Sequence, residues 1–355
     1  MKESSEECAS MPVELHFTRT NGRVDAAIDR LMEEAGGIVH TDIVREIILA
    51  GLKAGQENGG RADLKLMNSS MKEMRFTAKV FGPYRDVRKV TVFGSARTRQ
   101  DAPLYKMATN LGKKLADAGF MVITGGGPGI MQAVNEGAGP EHSFGVNIRL
   151  PFEQMPNPVL MGNPRHISYK YFFNRKVAFL KEADAVVLFP GGFGTLDEAM
   201  ESVTLLQTGK RYPIPLLLVD TPRGTYWERL LGFLENELAG RGYISADDFS
   251  LMERVRRPED AVARIRHFYS RYHSVRYVGD LLVIRMRSAL EKKDVDRLKK
   301  EFADLLVAGG DMRLSGPLDE EMSEPEGVEL PRLVIDFNKR DFGRLHQLVD
   351  AINAF

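Results

Sequence analysis

Three glycine-rich segments are the part of this sequence best suited to chemistry. They read FGSART at 93–98, GGGPGI at 125–130 and PGGFGT at 190–195, and each follows an apolar run. Glycine lets the backbone approach a ligand closely, and a helix that begins after such a turn offers unpaired N–H groups to an anion. Together the three turns predict a phosphate-binding crevice. Their spacing matches neither the Walker loop nor GxGxxG, so it favours neither an ATPase nor a nicotinamide enzyme.

A carboxylate and two cations accompany these turns. Glu198 follows the third turn, and the high glycine content of that turn favours a chemical role for it. The alternative is a capping box, in which Glu198 folds back towards Thr195 at the start of a helix. Arg175 and Lys176 are expected on either side of Phe172 on one helix. This arrangement favours anion binding, and the alternative is two cationic side chains extended along a surface helix.

Alternating strands and helices must position these residues. Nearly continuous apolar runs, such as KVTVFG, FMVITGG and DAVVLFPGG, alternate with helical patterns, and SYKYFFNRKVAFLKEA at 168–183 is expected to be one helix. Such runs are typical of buried parallel strands, and their alternation with helices predicts right-handed βαβ units. The expected fold class is therefore α/β, with a doubly wound parallel sheet. Ligands of such sheets bind at the carboxyl ends of the strands, where all three glycine-rich turns fall.

The two ends of the chain differ from this middle part. We expect a tail (with Cys8) and a helical hairpin over 1–65, the α/β domain over 66–272, and a small α+β domain over 273–355 with a structural or interface role. VELHF at 13–17, followed by two helices, has the order of a ribbon-helix-helix DNA-binding unit. No dense face of arginine and lysine supports nucleic-acid binding. The alternative is a hairpin that packs on the main domain or on a partner subunit.

Composition excludes several classes of protein. The chain has 355 residues, with 49 Lys+Arg and 49 Asp+Glu, which argues against a strongly basic nucleic-acid binder. One cysteine excludes an intrachain disulfide and a multi-cysteine metal site, and the seven histidines show no ligand spacing. No apolar run reaches the roughly 20 residues of a membrane span, and the acidic N-terminus is not a secretory signal. We therefore expect a soluble cytoplasmic protein without a membrane partner.

One family resemblance covers about residues 85–270. PGGFGTLDE at 190–198 matches PGGxGTxxE, the signature of the LONELY GUY (LOG) family of cytokinin riboside 5′-monophosphate phosphoribohydrolases, which are often mislabelled lysine decarboxylases. GSAR at 94–97, GGGPGIMQA at 125–133 and the Arg-Lys pair of FFNRK at 172–176 continue the match. The resemblance implies a Rossmann-like fold and assembly into homodimers or larger homo-oligomers. It also implies hydrolysis of the N-glycosidic bond of AMP or an N6-modified AMP, which releases the free base and ribose 5-phosphate.

The same resemblance implies roles for individual residues, with no metal or redox cofactor required. NIRLPFEQ at 147–154 is similar to the longer bacterial members. Glu198 and Arg175 match the catalytic glutamate and arginine of the family. Asp197 stands where small members commonly have a glutamate, and its shorter side chain is expected to alter a ribose or water contact. The residues expected to bind substrate are Gly94, Ser95, Gly125, Gly126, Gly127, Gly129, Lys176, Gly191, Gly192, Gly194, Thr195 and Asp197.

Three competing functions can be distinguished by chemistry. Lysine decarboxylation would need a Schiff-base lysine in a pyridoxal-phosphate site, and only the older family name suggests it. A non-catalytic carrier of a nucleotide or of the molybdenum cofactor would have a similar glycine-rich crevice without needing Glu198 or Arg175. The third is an interaction protein regulated through its terminal segments.

Overall fold

The computed structural model describes residues 13–57, 60–149, 155–321 and 327–355. The predictions for the tail before residue 13, including Cys8, lie outside the described residues, as do parts of the predicted linker and of NIRLPFEQ. Within the described ranges, no helix combines the length and the apolarity needed to cross a membrane. The chain divides into two compact units, Met1–Lys72 and Glu73–Phe355.

The first unit contains a helical hairpin. Its helices are α1 (Arg23–Ala35) and α2 (Thr41–Glu57), and it also holds the start of α3 (Arg61–Phe81). The strand predicted at 13–17 does not form among the described residues, which have an irregular backbone there and bury Leu15 against the helices. Lys53 Nζ donates a hydrogen bond to the carbonyl oxygen of Leu15. The ribbon of a ribbon-helix-helix unit is thus missing from the described residues.

The second unit contains a seven-stranded parallel sheet in the order β4-β3-β2-β1-β5-β6-β7, which confirms the predicted α/β fold class. Side chains alternate between two cores: Val90 and Val187 enter one, and Val186 and Leu188 enter the other. The strands are β1 (Lys89–Phe93), β2 (Met121–Thr124), β3 (Ser143–Ile148), β4 (His166–Tyr169), β5 (Ala185–Leu188), β6 (Leu216–Val219) and β7 (Glu253–Val255). The helices are α4 (Pro103–Asp117), α5 (Ile130–Ala138), α6 (Phe172–Lys181), α7 (Phe193–Gln207), α8 (Tyr226–Phe233) and α9 (Pro258–Phe268).

The strand order reverses between β1 and β5. The chain runs outward from β1 through β2 and β3 to β4, and then returns to place β5 on the other side of β1. In a doubly wound sheet, such a reversal opens a crevice at the carboxyl ends of the two strands. The segments after β1, β2 and β5 are the three glycine-rich turns, so the fold brings them to this crevice.

The C-terminal segment forms a four-stranded antiparallel sheet in the order β10-β11-β9-β8. Its elements are β8 (Tyr272–Val278), β9 (Leu281–Met286), α10 (Lys292–Glu301), β10 (Met312–Ser315), β11 (Arg332–Ile335) and α11 (Phe342–Asn353). The predicted strand–helix–strand–strand–helix order omits β8, whose sequence YHSVRYV buries every third residue instead of alternating. One hydrophobic core extends from Val90 in the large sheet to Ile284 and Ile352 in this segment. The small sheet therefore shares its core with the large one.

Candidate functional site

The backbone of Ser95 ties the three glycine-rich turns together. Its N–H donates to the carbonyl oxygen of Pro190 in the third turn, at 3.2 Å. Its carbonyl oxygen accepts from the N–H of Ile130 after the second turn, at 3.1 Å. Two backbone hydrogen bonds thus hold the turns after β1, β2 and β5 together.

Two glycines are required by this close packing. Gly129 has a φ of +67°, and a Cβ there would overlap the carbonyl oxygen of Ser95. A Cβ on Gly191 would overlap the side chain of Thr195 and lie 3.0 Å from the backbone nitrogen of Ser95. Any larger residue at either position would push the turns apart, because the atoms in its way include backbone.

Helix α7 offers the crevice an anion-binding end. It begins at Phe193, and the N–H groups of Thr195 and Leu196 donate to the carbonyl oxygen of Gly192. Within the described ranges, the N–H groups of Phe193 and Gly194 have no acceptor, as is usual for the first turn of a helix. The unpaired N–H groups and the positive end of the helix dipole together suit a phosphate.

Glu198 is a buried carboxylate, because it lies on the α7 face that turns towards the protein interior. Its side chain is 6% exposed, and Oε2 lies 3.4 Å from Lys176 Nζ. Burial raises the pKa of Glu198, whereas Lys176 and then Arg175 act in the opposite direction. The capping-box alternative is wrong, because α7 already begins at Phe193 and receives no side-chain cap. Glu198 is therefore available for chemistry.

Lys176 joins three carboxylates. Its Nζ lies 2.8 Å from Asp197, a side chain that is 61% exposed, and 2.7 Å from Glu201, in addition to its contact with Glu198. Burial lowers the pKa of Lys176, but hydrogen bonds to Asp197 and Glu201 outweigh this and raise it. Substrate contacts by Lys176 and Asp197 stay predictions. Glu201 was missed, although its position three residues after Glu198 on the same helix was a usable signal.

Arg175 places a half-buried cation beside the second turn. A Cβ on Gly125 would lie 3.3 Å from its Nη2, so the guanidinium covers that glycine. The guanidinium carbon lies 5.0 Å from the ring centroid of Phe179, and Nε is buried without a hydrogen-bond partner. Burial lowers the pKa of Arg175, Glu198 and Asp197 oppose this, and arginine keeps its charge. No carboxylate of the described residues forms an ion pair with Arg175, which leaves it available to an anionic ligand.

Glu73 on α3 fixes the start of α6, and with it Arg175. One carboxylate oxygen accepts from the N–H of Lys170 at 2.6 Å, and the other accepts from Asn174 Nδ2 at 2.7 Å. The residues involved are about a hundred positions apart in the sequence. No sequence signal could have revealed this support.

Two further polar side chains, which sequence reasoning missed, donate hydrogen bonds to the backbone of the turns. The hydroxyl of Tyr226 donates to the carbonyl oxygen of Gly191 at 2.8 Å. Asn157 Nδ2 donates to the carbonyl oxygen of Gly127 at 3.2 Å and to Asn135 Oδ1 at 3.0 Å. These bonds keep the crevice in shape before any ligand arrives.

Comparisons with known proteins identify relatives of this chain. A family described as possible lysine decarboxylase matches residues 119–265. The cytokinin riboside 5′-monophosphate phosphoribohydrolase LOG of Oryza sativa subsp. japonica is 30% identical over 193 residues, which are 52% of this chain and 75% of that protein. The protein LOG7 of Arabidopsis thaliana, with the same activity in its name, is 30% identical over 165 residues, which are 44% of this chain and 71% of that protein.

Two solved structures are also similar. The molybdenum cofactor carrier protein of Chlamydomonas reinhardtii is 22% identical, with a TM-score of 0.35, and the match covers 51% of this chain and 96% of that one. The molybdenum cofactor binding protein of Rippkaea orientalis is 20% identical, with a TM-score of 0.36, over 51% of this chain and 96% of that one.

Proposed function

This chain belongs to the LOG family, and from that premise we propose that it is a nucleoside 5′-monophosphate phosphoribohydrolase. It would hydrolyse the N-glycosidic bond of AMP or an N6-modified AMP, with release of the free base and ribose 5-phosphate. The observation that carries this proposal is the buried carboxylate of Glu198 beside a protonated lysine and an arginine that has no ion pair among the described residues, next to the uncapped start of α7.

The proposed reaction places distinct demands on these groups. The bond between C1′ and the base breaks while water adds at C1′, and the departing base takes up a proton. Positive charge develops on the sugar in the transition state, and a buried carboxylate such as Glu198 stabilises that charge. The start of α7 would hold the 5′-phosphate, so that the sugar is fixed relative to Glu198.

Lysine decarboxylation fits this site poorly. A Schiff-base lysine needs a lowered pKa, so that its amine is free to attack a carbonyl. The lysine of this crevice, Lys176, is instead held as an ammonium ion by the carboxylates of Asp197 and Glu201.

We expect AMP to be cleaved at least about 100-fold more efficiently than adenosine, in kcat/KM, because only AMP engages the start of α7. The assay is chromatographic detection of free adenine from AMP, from N6-isopentenyl-AMP and from adenosine at equal concentrations. Equal rates for AMP and adenosine would contradict the role of the helix end. Tight binding of AMP without any release of base would instead favour the carrier alternative.

We also propose that the protein is at least a homodimer. Apolar side chains on and near α6 are exposed around the crevice, including Phe172, Phe173, Val177 and, at 92% exposure, Phe193. Val177→Asp should therefore shift the light-scattering mass towards one 39.8 kDa chain and lower the activity on dilution. Val307→Asp is the matched control, because Val307 is as exposed as Val177 (46% and 47%) and lies on another surface. A single-chain mass for the fully active wild-type protein would refute the dimer.

A further inference from the structure

A second groove opens at the opposite end of the large sheet. It has a volume of about 640 Å³. It lies between the segment before β1, the residue before β5, and the part of the small sheet where β8 begins and β9 ends. The groove is lined mainly by charged side chains, with four arginines and one histidine against three carboxylates. These residues are Arg85, Arg88, Arg285, Arg287, His273, Asp86, Asp184 and Glu329.

Two of the arginines form ion pairs with carboxylates, and these contacts fix their side chains in place. Arg88 pairs with Asp184 at 3.1 Å, and its guanidinium stacks on the ring of Tyr269 at 3.5 Å from the centroid. Arg285 donates from Nε and Nη2 to one carboxylate oxygen of the fully buried Glu321. Their orientations are therefore set in the absence of a ligand.

The other two arginines are not held in ion pairs. Arg85 and Arg287 form no ion pair with any residue in the ranges that the structure describes, and both are exposed to solvent. Burial and then the charge of Arg88 lower the pKa of Arg287. The groove thus holds unpaired guanidinium groups beside fixed ones, which is an arrangement that an anion would stabilise.

A β-bulge directs His273 into this positive region. The pairing of β8 with β9 is regular except between Tyr272 and Ser274, where His273 is the extra residue. Its Nδ1 lies 2.9 Å from the hydroxyl of Ser274. Burial lowers the pKa of His273, and the nearby arginines, first Arg287, lower it further. Bulges are frequent next to binding sites because they re-aim one side chain.

This groove is separate from the candidate catalytic crevice. Arg88 and Asp184 immediately precede β1 and β5, whereas the glycine-rich turns follow the same two strands. The four or five residues of these strands separate the two sites by about 15 Å. A ligand in the groove would therefore bind without entering the crevice.

We propose that this groove binds a phosphate-bearing small molecule. Guanidinium groups from different segments converge on one volume, and their fork geometry matches the several oxygens and multiple charge of a phosphate or polyphosphate. The volume lies within the range usual for small-molecule sites. The proposal does not depend on the reaction catalysed at the other end of the sheet.

The test uses the full-length protein and inorganic pyrophosphate. In hydrogen-exchange measurements, pyrophosphate should protect the backbone around 271–275 and 285–288, in addition to any protection at 190–196. In calorimetry, the double variant Arg85→Gln/Arg287→Gln should lose affinity for this site by at least about tenfold. Malonate, a dicarboxylate, should bind the wild-type groove more weakly than pyrophosphate.

The matched control is Arg266→Gln/Arg340→Gln, which removes two exposed arginines outside the groove. This control should bind pyrophosphate as the wild type does. An equal loss of affinity in both double variants would mean that only net charge matters, and would overturn the proposal. So would an absence of protection around 271–275 and 285–288, or malonate binding as tight as that of pyrophosphate.

Discussion

Glu198→Gln should lower kcat for AMP by about 10²- to 10⁴-fold while the protein stays folded and still binds ribose 5-phosphate. The amide has nearly the same shape as the carboxylate, but it can neither balance positive charge on the sugar nor take up a proton. Because Glu198 is buried against Lys176, the substitution removes a charge from a site with little water to replace it. Release of adenine measured under substrate saturation is the direct test.

The pH dependence of the activity is a second test of the role of Glu198. Burial raises the pKa of Glu198, so the ionised form that the reaction needs is lost as the pH falls through that raised value. The activity of the wild type should therefore decline on the acid side earlier than an ordinary glutamate would cause. The residual activity of Glu198→Gln should lack this decline.

Asp197→Asn is the matched control for Glu198. It also removes a carboxylate that contacts Lys176, but from an exposed side chain. We expect kcat to change by less than about tenfold in this variant. If Glu198→Gln kept near-normal turnover, or if both variants lost activity equally, the catalytic assignment of Glu198 would be wrong.

Local patterns in the sequence were sufficient to predict the crevice. Each glycine-rich turn follows a buried apolar strand, and the rules of the doubly wound sheet bring the ends of such strands to one edge. The prediction that the turns around Gly94, Gly129 and Gly191 meet is confirmed by the backbone bonds of Ser95. The sequence pattern could not identify Ser95 as the residue whose backbone joins the turns. Main-chain hydrogen bonds between distant turns do not depend on residue type, so the sequence does not indicate them.

The main errors in the predicted secondary structure concern two strands, β4 and β8. The segment at 168–183 was predicted as one helix, but Ser168 and Tyr169 belong to β4, and the helix begins only at Phe172. β4 is an edge strand, paired on one side only, and four residues are too few to display a period of their own. β8 was missed because its buried positions recur every third residue and therefore lack the alternation that is typical of a strand. In both cases tertiary pairing determines the conformation.

The partners of the charged residues were the least predictable part of the site. Lys176 and Arg175 are neighbours on α6 with the same charge, yet one contacts three carboxylates and the other none of the described ones. That division depends on how α6 packs against α7, which is fixed in part by the distant Glu73. Charge and spacing alone treat the two cations alike, so that only the family resemblance gave them different roles, and the structure gives them different partners.

This difference leads to the second prediction, for Arg175→Gln. We expect kcat/KM for AMP to fall by about 10²- to 10³-fold, because the guanidinium beside Gly125, which pairs with no carboxylate of the described ranges, is free to meet an anionic substrate. The loss should be larger for AMP than for adenosine if Arg175 contacts the phosphate, and equal for both if it contacts the ribose. Steady-state kinetics with the two substrates distinguish these contacts.

Lys181→Gln supplies the matched control, since it removes one positive charge from the exposed end of the same helix. Its kcat/KM should stay within about threefold of the wild type, because a screened surface charge acts weakly at a distance. Arg175→Lys should recover only part of the activity, since a lysine lacks the planar fork of donors that binds two oxygens at once. Full activity in Arg175→Gln would show that the guanidinium is structural, and that the anion is held by the start of α7 alone.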